Sequence, residues 1–310
     1  MAAITAAMVK ELREMSGAGM MDCKKALSAT DGDMDKAFEF LRENGAAKAE
    51  KKAGRIAAEG LCSVLIEGNT AAVVEVNSET DFVAKNEKFQ NFVAGVAKQA
   101  LKSDATDIDA FLAEKWNEDE SKTVNEVQIE QIATIGEKLS IRRFKKVVAE
   151  EGMVVSYVHG GGRIGVIVEA KTDVVNDDIK AALTNIAMQV AALNPKFVSD
   201  ADVDQDYIAH EKEILKAQIM NDPKESQKPE NVIDGMIQGR VKKELKEIVL
   251  LDQTYVKAED GKQSVAQYLE QVAKANSANL SIKSVVRFET GEGIEKKEEN
   301  FAAEVAAQLG

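Results

Sequence analysis

Thr80-Asp81-Phe82-Val83 stands where a valine-rich, strand-like run stops and an amphipathic helical pattern begins, and the rest of the chain is organised around that corner. Upstream, residues 61–66 and 71–76 are β-rich runs separated by Gly68-Asn69, a short-range signal for a β-hairpin. The chain then turns at Asn77-Ser78-Glu79 into the corner. Downstream, Phe89, Phe92, Val93, Val96, Ala97 and Ala100 fall on one helical face. The same order recurs as a strand-like run at 154–158, a triple glycine at 160–162, a second run at 164–170 and a helical pattern over 178–193. Thr172-Asp173-Val174-Val175 occupies the matching corner of this second unit. Capping at the start of a helix accounts for the shared Thr-Asp pair. It does not account for Phe82, whose counterpart is Val174; by itself Phe82 can also be read as packing at its helix start.

Toward the N-terminus, Ile4, Met8, Val9, Leu12 and Met15 recur at helical spacing up to Gly17-Ala18-Gly19. A second helix is predicted over 20–29, and a third from Met34 through Leu41 that Asn44-Gly45 closes. Such a bundle buries little surface, so Met20 and Met21 beside Lys24 and Lys25 form either a docking patch or, for at least one methionine, part of the core. Residues 46–55, rich in Ala and Lys, suit a helical or semi-rigid linker. Between the two repeat units, the acidic stretch 104–125 reads as a helix with solvated ends. It is followed by a helix through Val124, Val127, Ile132 and Ile135 ending at Gly136, then a strand from Leu139 to Val148. Residues 203–221 and 229–248 each carry one narrow apolar stripe, which predicts an antiparallel helical hairpin inserted into the second unit. Strands near 248–256 and 281–288 are expected to flank a helix at 262–275, and 301–309 reads as a short amphipathic helix.

Composition narrows the possibilities. A length of 310 residues is long for a single core, and 45% hydrophobic residues with only 5% aromatics and 3 prolines favour an α+β protein of several modules. The formal charge of −13 opposes phosphate-driven nucleic-acid binding, so a protein partner is expected and no direct nucleic acid. The basic cluster Arg142-Arg143 and Lys145-Lys146 lacks interleaved stacking aromatics and reads as a solvated strand with charge partners. No run of about 18 apolar residues is present, so no membrane association is expected. Nothing at the start marks export. Cys23 and Cys62 form no C-x-x-C, which points to a reducing, cytoplasmic setting.

The sequence offers little that resembles a catalytic constellation. His159 and His210 lie far apart without a carboxylate ligand set, so neither a metal site nor a histidine-centred catalytic residue is expected. The glycine clusters at 17–19, 160–162 and 291–293 lack the context of a phosphate-binding loop, so no cofactor is expected. His159 ends a strand beside the triple glycine and reads as a surface residue at a hairpin tip.

Several motifs nevertheless resemble, in order, those of the bacterial elongation factor Ts family. They are Ile4-Thr5-Ala6 with Val9-Lys10-Glu11-Leu12-Arg13, Gly17 through Leu27, Thr80-Asp81-Phe82-Val83-Ala84-Lys85, Ile141-Arg142-Arg143, and His159 before Arg163-Ile164-Gly165-Val166. Gly239-Arg240, Gly291 through Lys296 and Phe301 through Val305 continue the series. The resemblance implies a guanine-nucleotide exchange factor of protein biosynthesis, acting by binding and not as an enzyme, whose partner is the GDP-bound translational GTPase elongation factor Tu. It also implies an architecture: an N-terminal ubiquitin-associated-like three-helix module with linker at 1–55, core subdomains at 56–150 and at 151–196 with 249–289, an inserted coiled-coil hairpin at 197–248 that can form homodimer contacts, and a C-terminal module at 290–310. By the same resemblance Asp81 and Phe82, flanked by Thr80 and Val83, intrude near the partner's magnesium site, with His159 supporting that contact. Val9, Met20, Met21 and Lys24 would dock on the GTP-binding domain, Ile135 and Gly136 would add contacts, and Met236 and Ile237 correspond more loosely.

Overall fold

A computed structural model describes residues 4–295. The expected amphipathic helix at 301–309 and the motif residues Lys296 and Phe301 through Val305 therefore lie outside the described residues. The fold is α+β.

Three helices open the chain: α1 (Ala6–Ser16), α2 (Met20–Ala29) and α3 (Met34–Lys52). Thr5 and Asp33 accept hydrogen bonds from the Met8 and Lys36 backbone N–H groups and so cap α1 and α3. Leu12, Cys23, Ala26, Leu27 and Ala37 form the small core between them. The structure corrects two expectations here. Asn44-Gly45 does not end the third helix, which runs on through the presumed linker to Lys52. Gly45 is instead the point of close approach to a later helix, where an added Cβ would lie 3.4 Å from that of Ala133. Both methionines of the pair are exposed, Met20 at 56% and Met21 at 65%, because Cys23, Ala26 and Leu27 already fill the inward face of α2.

The hairpin β1 (Glu59–Glu67) and β2 (Thr70–Ser78) turns at Gly68-Asn69. It leads through α4 (Asp81–Ala84) to α5 (Glu87–Lys102). The stretch expected as a single acidic helix is instead α6 (Ile108–Ala113) followed by a small hairpin, β3 (Lys115–Trp116) and β4 (Asp119–Thr123). Its few aromatics explain the change: Phe111 stacks on Phe144 at 4.4 Å between ring centroids, and buried Trp116 packs over Gly95 of α5. Next come α7 (Val124–Ile135), ended by Gly136 at φ 90°, and β5 (Ser140–Val148), which pairs antiparallel with β2.

The second sheet comprises β6 (Met153–His159), β7 (Ile164–Thr172) and the last strand, β8 (Leu280–Glu289), all antiparallel with β7 central. Between β7 and β8 the chain forms α8 (Asp177–Leu193), the antiparallel pair α9 (Gln205–Asn221) and α10 (Glu230–Ile248), and α11 (Val265–Ala275). No strand forms near 248–256. Leu250–Asp252 is a short 3-10 turn, and the buried side chain of Gln253 receives a hydrogen bond from Gln189 Nε2 at 3.0 Å and donates to the Glu247 carbonyl. Side-chain amides thus satisfy polar groups that a strand ladder would otherwise have paired.

The two sheets pack face to face. Ala71 and Val73 of β2 meet Val154 and Ile167 in a shared intersheet core, whereas Ala72, Val74 and Val76 point the other way, against Phe89, Phe92, Val93 and Val96 of α5. Burial on both faces is why β2 reads as a nearly unbroken apolar run. On the far side, α8 and α11 cover the second sheet through Ile179, Leu183, Ile186 and Leu269. Arg142 and Arg143 have the charge partners expected of them, but the strand is not simply solvated: both turn onto the fully buried carboxylate of Glu75 in β2.

Candidate functional site

Thr80 leaves β2 in extended geometry, φ −127° and ψ 156°, and its Oγ1 accepts a hydrogen bond from the Val83 N–H at 3.4 Å. The resulting helix α4 lasts one turn before Asn86 starts α5 with a new cap, accepting from the Lys88 N–H at 2.9 Å. The corner is thus a separate short turn and not the beginning of the long helix. Val83 is buried under it, while the Phe82 ring is 81% exposed. Asp81 is exposed and accepts a hydrogen bond from Lys85 Nζ at 2.6 Å, and this bond holds its carboxyl below the usual aspartate range. Lys85 Nζ also lies 6.0 Å from the Phe82 ring centroid.

The matching corner of the second unit is built differently. Among the described residues Thr172 Oγ1 bonds only to the backbone of Val174, Asp173 accepts hydrogen bonds from the Asn279 N–H and Nδ2, and it is Asn176 that caps α8. Capping therefore belongs to Thr80 and not to Thr172. At this second corner Val174 stands where the first has Phe82, so no aromatic ring projects from it.

A brace that no local pattern reveals holds the first corner. The Glu137 carboxylate accepts hydrogen bonds from the Glu79 N–H at 3.1 Å, the Thr80 N–H at 3.0 Å and the Thr80 hydroxyl at 2.8 Å. In return, Glu79 accepts from the Lys138 N–H and pairs with Arg55 at 3.2 Å. Glu137 is 57 residues from Thr80, so helical or strand periodicity could not join them. The only sequence signal nearby is Gly136, which turns the chain after α7.

The remaining candidate residues spread over several surfaces. His159 is exposed at the tip of the β6–β7 hairpin, its Nδ1 3.0 Å from the Tyr157 hydroxyl. That tip lies against β1, because the Cys62 N–H donates to the Gly162 carbonyl at 2.6 Å, and Glu59 of β1 pairs with Ser78 just before Thr80. His159 and the Phe82 corner therefore share one end of the sandwich. Gly136 is exposed beside the Glu137 brace and its carbonyl accepts from Lys52 Nζ at 2.6 Å, while Ile135 packs partly against the first core. Met20, Met21 and Lys24 are exposed on α2, whereas Val9 is buried in the three-helix core. Ile237 is likewise buried, in the α9–α10 seam, with Met236 packed beside it. For Val9 and Ile237 the apolar surface already serves internal packing.

A protruding apolar ring on a rigid corner can wedge into a partner surface; its neighbours Asp81 and Thr80 are an ion-paired carboxylate and a hydroxyl already donating to Glu137. Among the described residues no helix is long and apolar enough to cross a membrane.

The chain is similar throughout to known proteins. A family model described as Elongation factor TS matches residues 79–292. A protein of Clostridioides difficile (strain 630) named Elongation factor Ts is 53% identical over 311 residues, covering 100% of both chains. Proteins of the same name from Clostridium perfringens (strain 13 / Type A) and Clostridium tetani (strain Massachusetts / E88) are 51% and 46% identical, with 99% of each chain covered.

Proposed function

This chain belongs to the elongation factor Ts family of translation elongation factors, and from that premise we propose that it binds the GTPase elongation factor Tu in its GDP-bound form and promotes release of GDP. The observation that carries the reading is the Phe82 ring, 81% exposed on a corner whose backbone is otherwise pinned. Large apolar side chains held rigidly in water are the usual anchors of interfaces. In this reading Asp81 and Phe82 enter near the nucleotide-magnesium site, with Thr80 and Val83 holding the turn beneath them. Magnesium demands near-octahedral geometry, so a small shift of its ligands ejects the ion, exposes the diphosphate charge and lets GDP leave. Binding energy drives the step without covalent chemistry. Because such coupling is reciprocal, incoming nucleotide in turn ejects the exchange factor.

The other surfaces act as docking. His159 supports the same contact from its hairpin tip, and Met20, Met21 and Lys24 on a ubiquitin-associated-like module meet the GTP-binding domain, with Val9 shaping that module from within. Gly136 and Ile135 border the wedge, and the α9–α10 coiled-coil hairpin, with Met236 and Ile237 in its seam, provides homodimer contacts. The setting is the cytoplasm.

Release of a fluorescent GDP from elongation factor Tu tests the proposal. The wild-type chain should accelerate release, and Phe82→Ala should lose that acceleration on the order of tenfold to a hundredfold, the span of ordinary coupling free energies. No acceleration by the wild type would remove the reading. Full activity of Phe82→Ala would remove the wedge while leaving exchange intact.

A further inference from the structure

Resting on the exchange reading above, we infer that Glu137 is a positioning residue for exchange: its carboxylate aims Phe82 by clamping the strand end from which the wedge projects. Three donors of the β2–α4 junction converge on this one group, the N–H groups of Glu79 and Thr80 and the Thr80 hydroxyl, at 2.8 to 3.1 Å. The clamp is reciprocal, since the Glu79 carboxylate accepts from the Lys138 N–H next to Glu137. Two carboxylates are thus exchanged between two loops, each satisfying backbone donors of the other.

Charge-assisted bonds from adjacent amides fix direction as well as distance. Without Glu137, Thr80 keeps its bond from the Val83 N–H, so α4 still forms and stays seated through buried Val83 and the Ser78 hydroxyl's bond to the Thr80 carbonyl at 3.0 Å, but the Glu79 and Thr80 N–H groups lose the acceptor that sets the direction of the turn. The loop bearing Glu137 is itself anchored to the N-terminal helices. Lys52 Nζ, at the end of α3, donates to the Gly136 carbonyl at 2.6 Å, and Lys138 Nζ donates to the Arg55 carbonyl at 2.8 Å. Helix α2, which bears exposed Met20 and Met21, is joined to the same framework by the Asp22–Lys48 pair with α3 at 2.9 Å, so the two surfaces sit on one connected scaffold, while Glu137, among the described residues, bonds only to the wedge corner.

The test is a saturation series of GDP release with wild type, Glu137→Ala, Glu137→Gln, Phe82→Ala and the Phe82→Ala/Glu137→Ala double variant. Glu137→Ala should lower the maximal acceleration about tenfold while its half-saturating concentration stays within about threefold, because docking is separate from wedge placement. Glu137→Gln should retain more than about half the activity, since its oxygen can still receive the two backbone N–H groups and the Thr80 hydroxyl can reverse its role. In the double variant, Glu137→Ala should add no further loss, as expected for a residue acting through Phe82. A wild-type plateau for Glu137→Ala, independent losses in the double variant, or a glutamine variant no better than alanine would each overturn the inference. Independently of exchange, amide hydrogen exchange at Glu79 and Thr80 in the free protein should quicken about tenfold or more in Glu137→Ala, and unchanged rates would overturn it. An inactive wild type would defeat the exchange reading and this inference together; an active wild type, impaired Phe82→Ala and unimpaired Glu137→Ala would defeat this inference alone.

Discussion

Glu75 is fully buried in the centre of β2, and a carboxylate in that position needs partners for its charge. It has four: Arg142 Nη1 at 3.0 Å, Arg143 Nε, Asn77 Nδ2 at 3.1 Å and the Gly291 N–H at 2.8 Å. Arg143 also donates to Glu292 and lies over the Phe288 ring at 4.3 Å, so the network fastens β2 and β5 of the first sheet to the end of β8 in the second. Removing the acid leaves the Gly291 N–H without this acceptor and two half-buried guanidinium groups with their remaining partners at and after the end of β8, the Glu292 carbonyl for Arg142 and the Glu289 carbonyl and Glu292 carboxylate for Arg143. Glu75→Ala should therefore cost about 3 kcal/mol, read from the urea midpoint at constant slope. A loss below about 1 kcal/mol would mean that water already shares these charges. In the sequence, Arg142-Arg143 looks like half of a basic surface cluster; a lone glutamate inside a valine run was the hint that one strand carried a buried anion.

At the scale of elements, local pattern was informative wherever an element is recognised by its own neighbours. The Gly68-Asn69 turn, the amphipathic face of α5 and the Gly136 stop of α7 all appear where their spacing indicates. Pattern failed where a distant surface overrides it: Gly45 lies within α3 because α7 comes close there, and the 104–125 stretch folds around Phe111 and Trp116. Two helical glycines make the distinction measurable. A Cβ on Gly95 of α5 would meet the Trp116 ring at 2.7 Å, whereas one on Gly239 of α10 meets nothing within 4 Å. Alanine favours a helix over glycine by about 1 kcal/mol, so Gly239→Ala should stabilise the protein by up to that amount. Gly95→Ala should instead destabilise it by about 1 to 3 kcal/mol through overpacking. Equal signs in thermal unfolding would mean that the Trp116 hairpin yields without strain.

For the whole molecule, the decisive surface is the one between the two sheets. Gly165 of β7 sits where a Cβ would approach Val73 at 3.1 Å and Cys62 and Val64 at 3.2 Å, so at this point β7 adds no side chain and those of the opposing sheet reach its backbone. Cys62 lies in the same layer, with burial raising its thiol to about 11. Gly165→Leu should wedge the sheets apart and cost about 2 to 3 kcal/mol, lowering the denaturation midpoint of both halves together. Separate transitions for the two halves, or an unchanged midpoint, would show that they do not share a cooperative core. By itself the sequence determined the α+β class, the two strand-turn-strand-helix units, the antiparallel helix pair and the distinctive Phe82, because each depends on side-chain periods or turns spanning a few residues. Tertiary structure alone decided that Phe82 stands in water, that Glu137 holds its turn from 57 residues away and that Glu75 reaches Gly291 across 216 residues. Those contacts join segments far apart in the chain, and their geometry exists only once the sheets have packed.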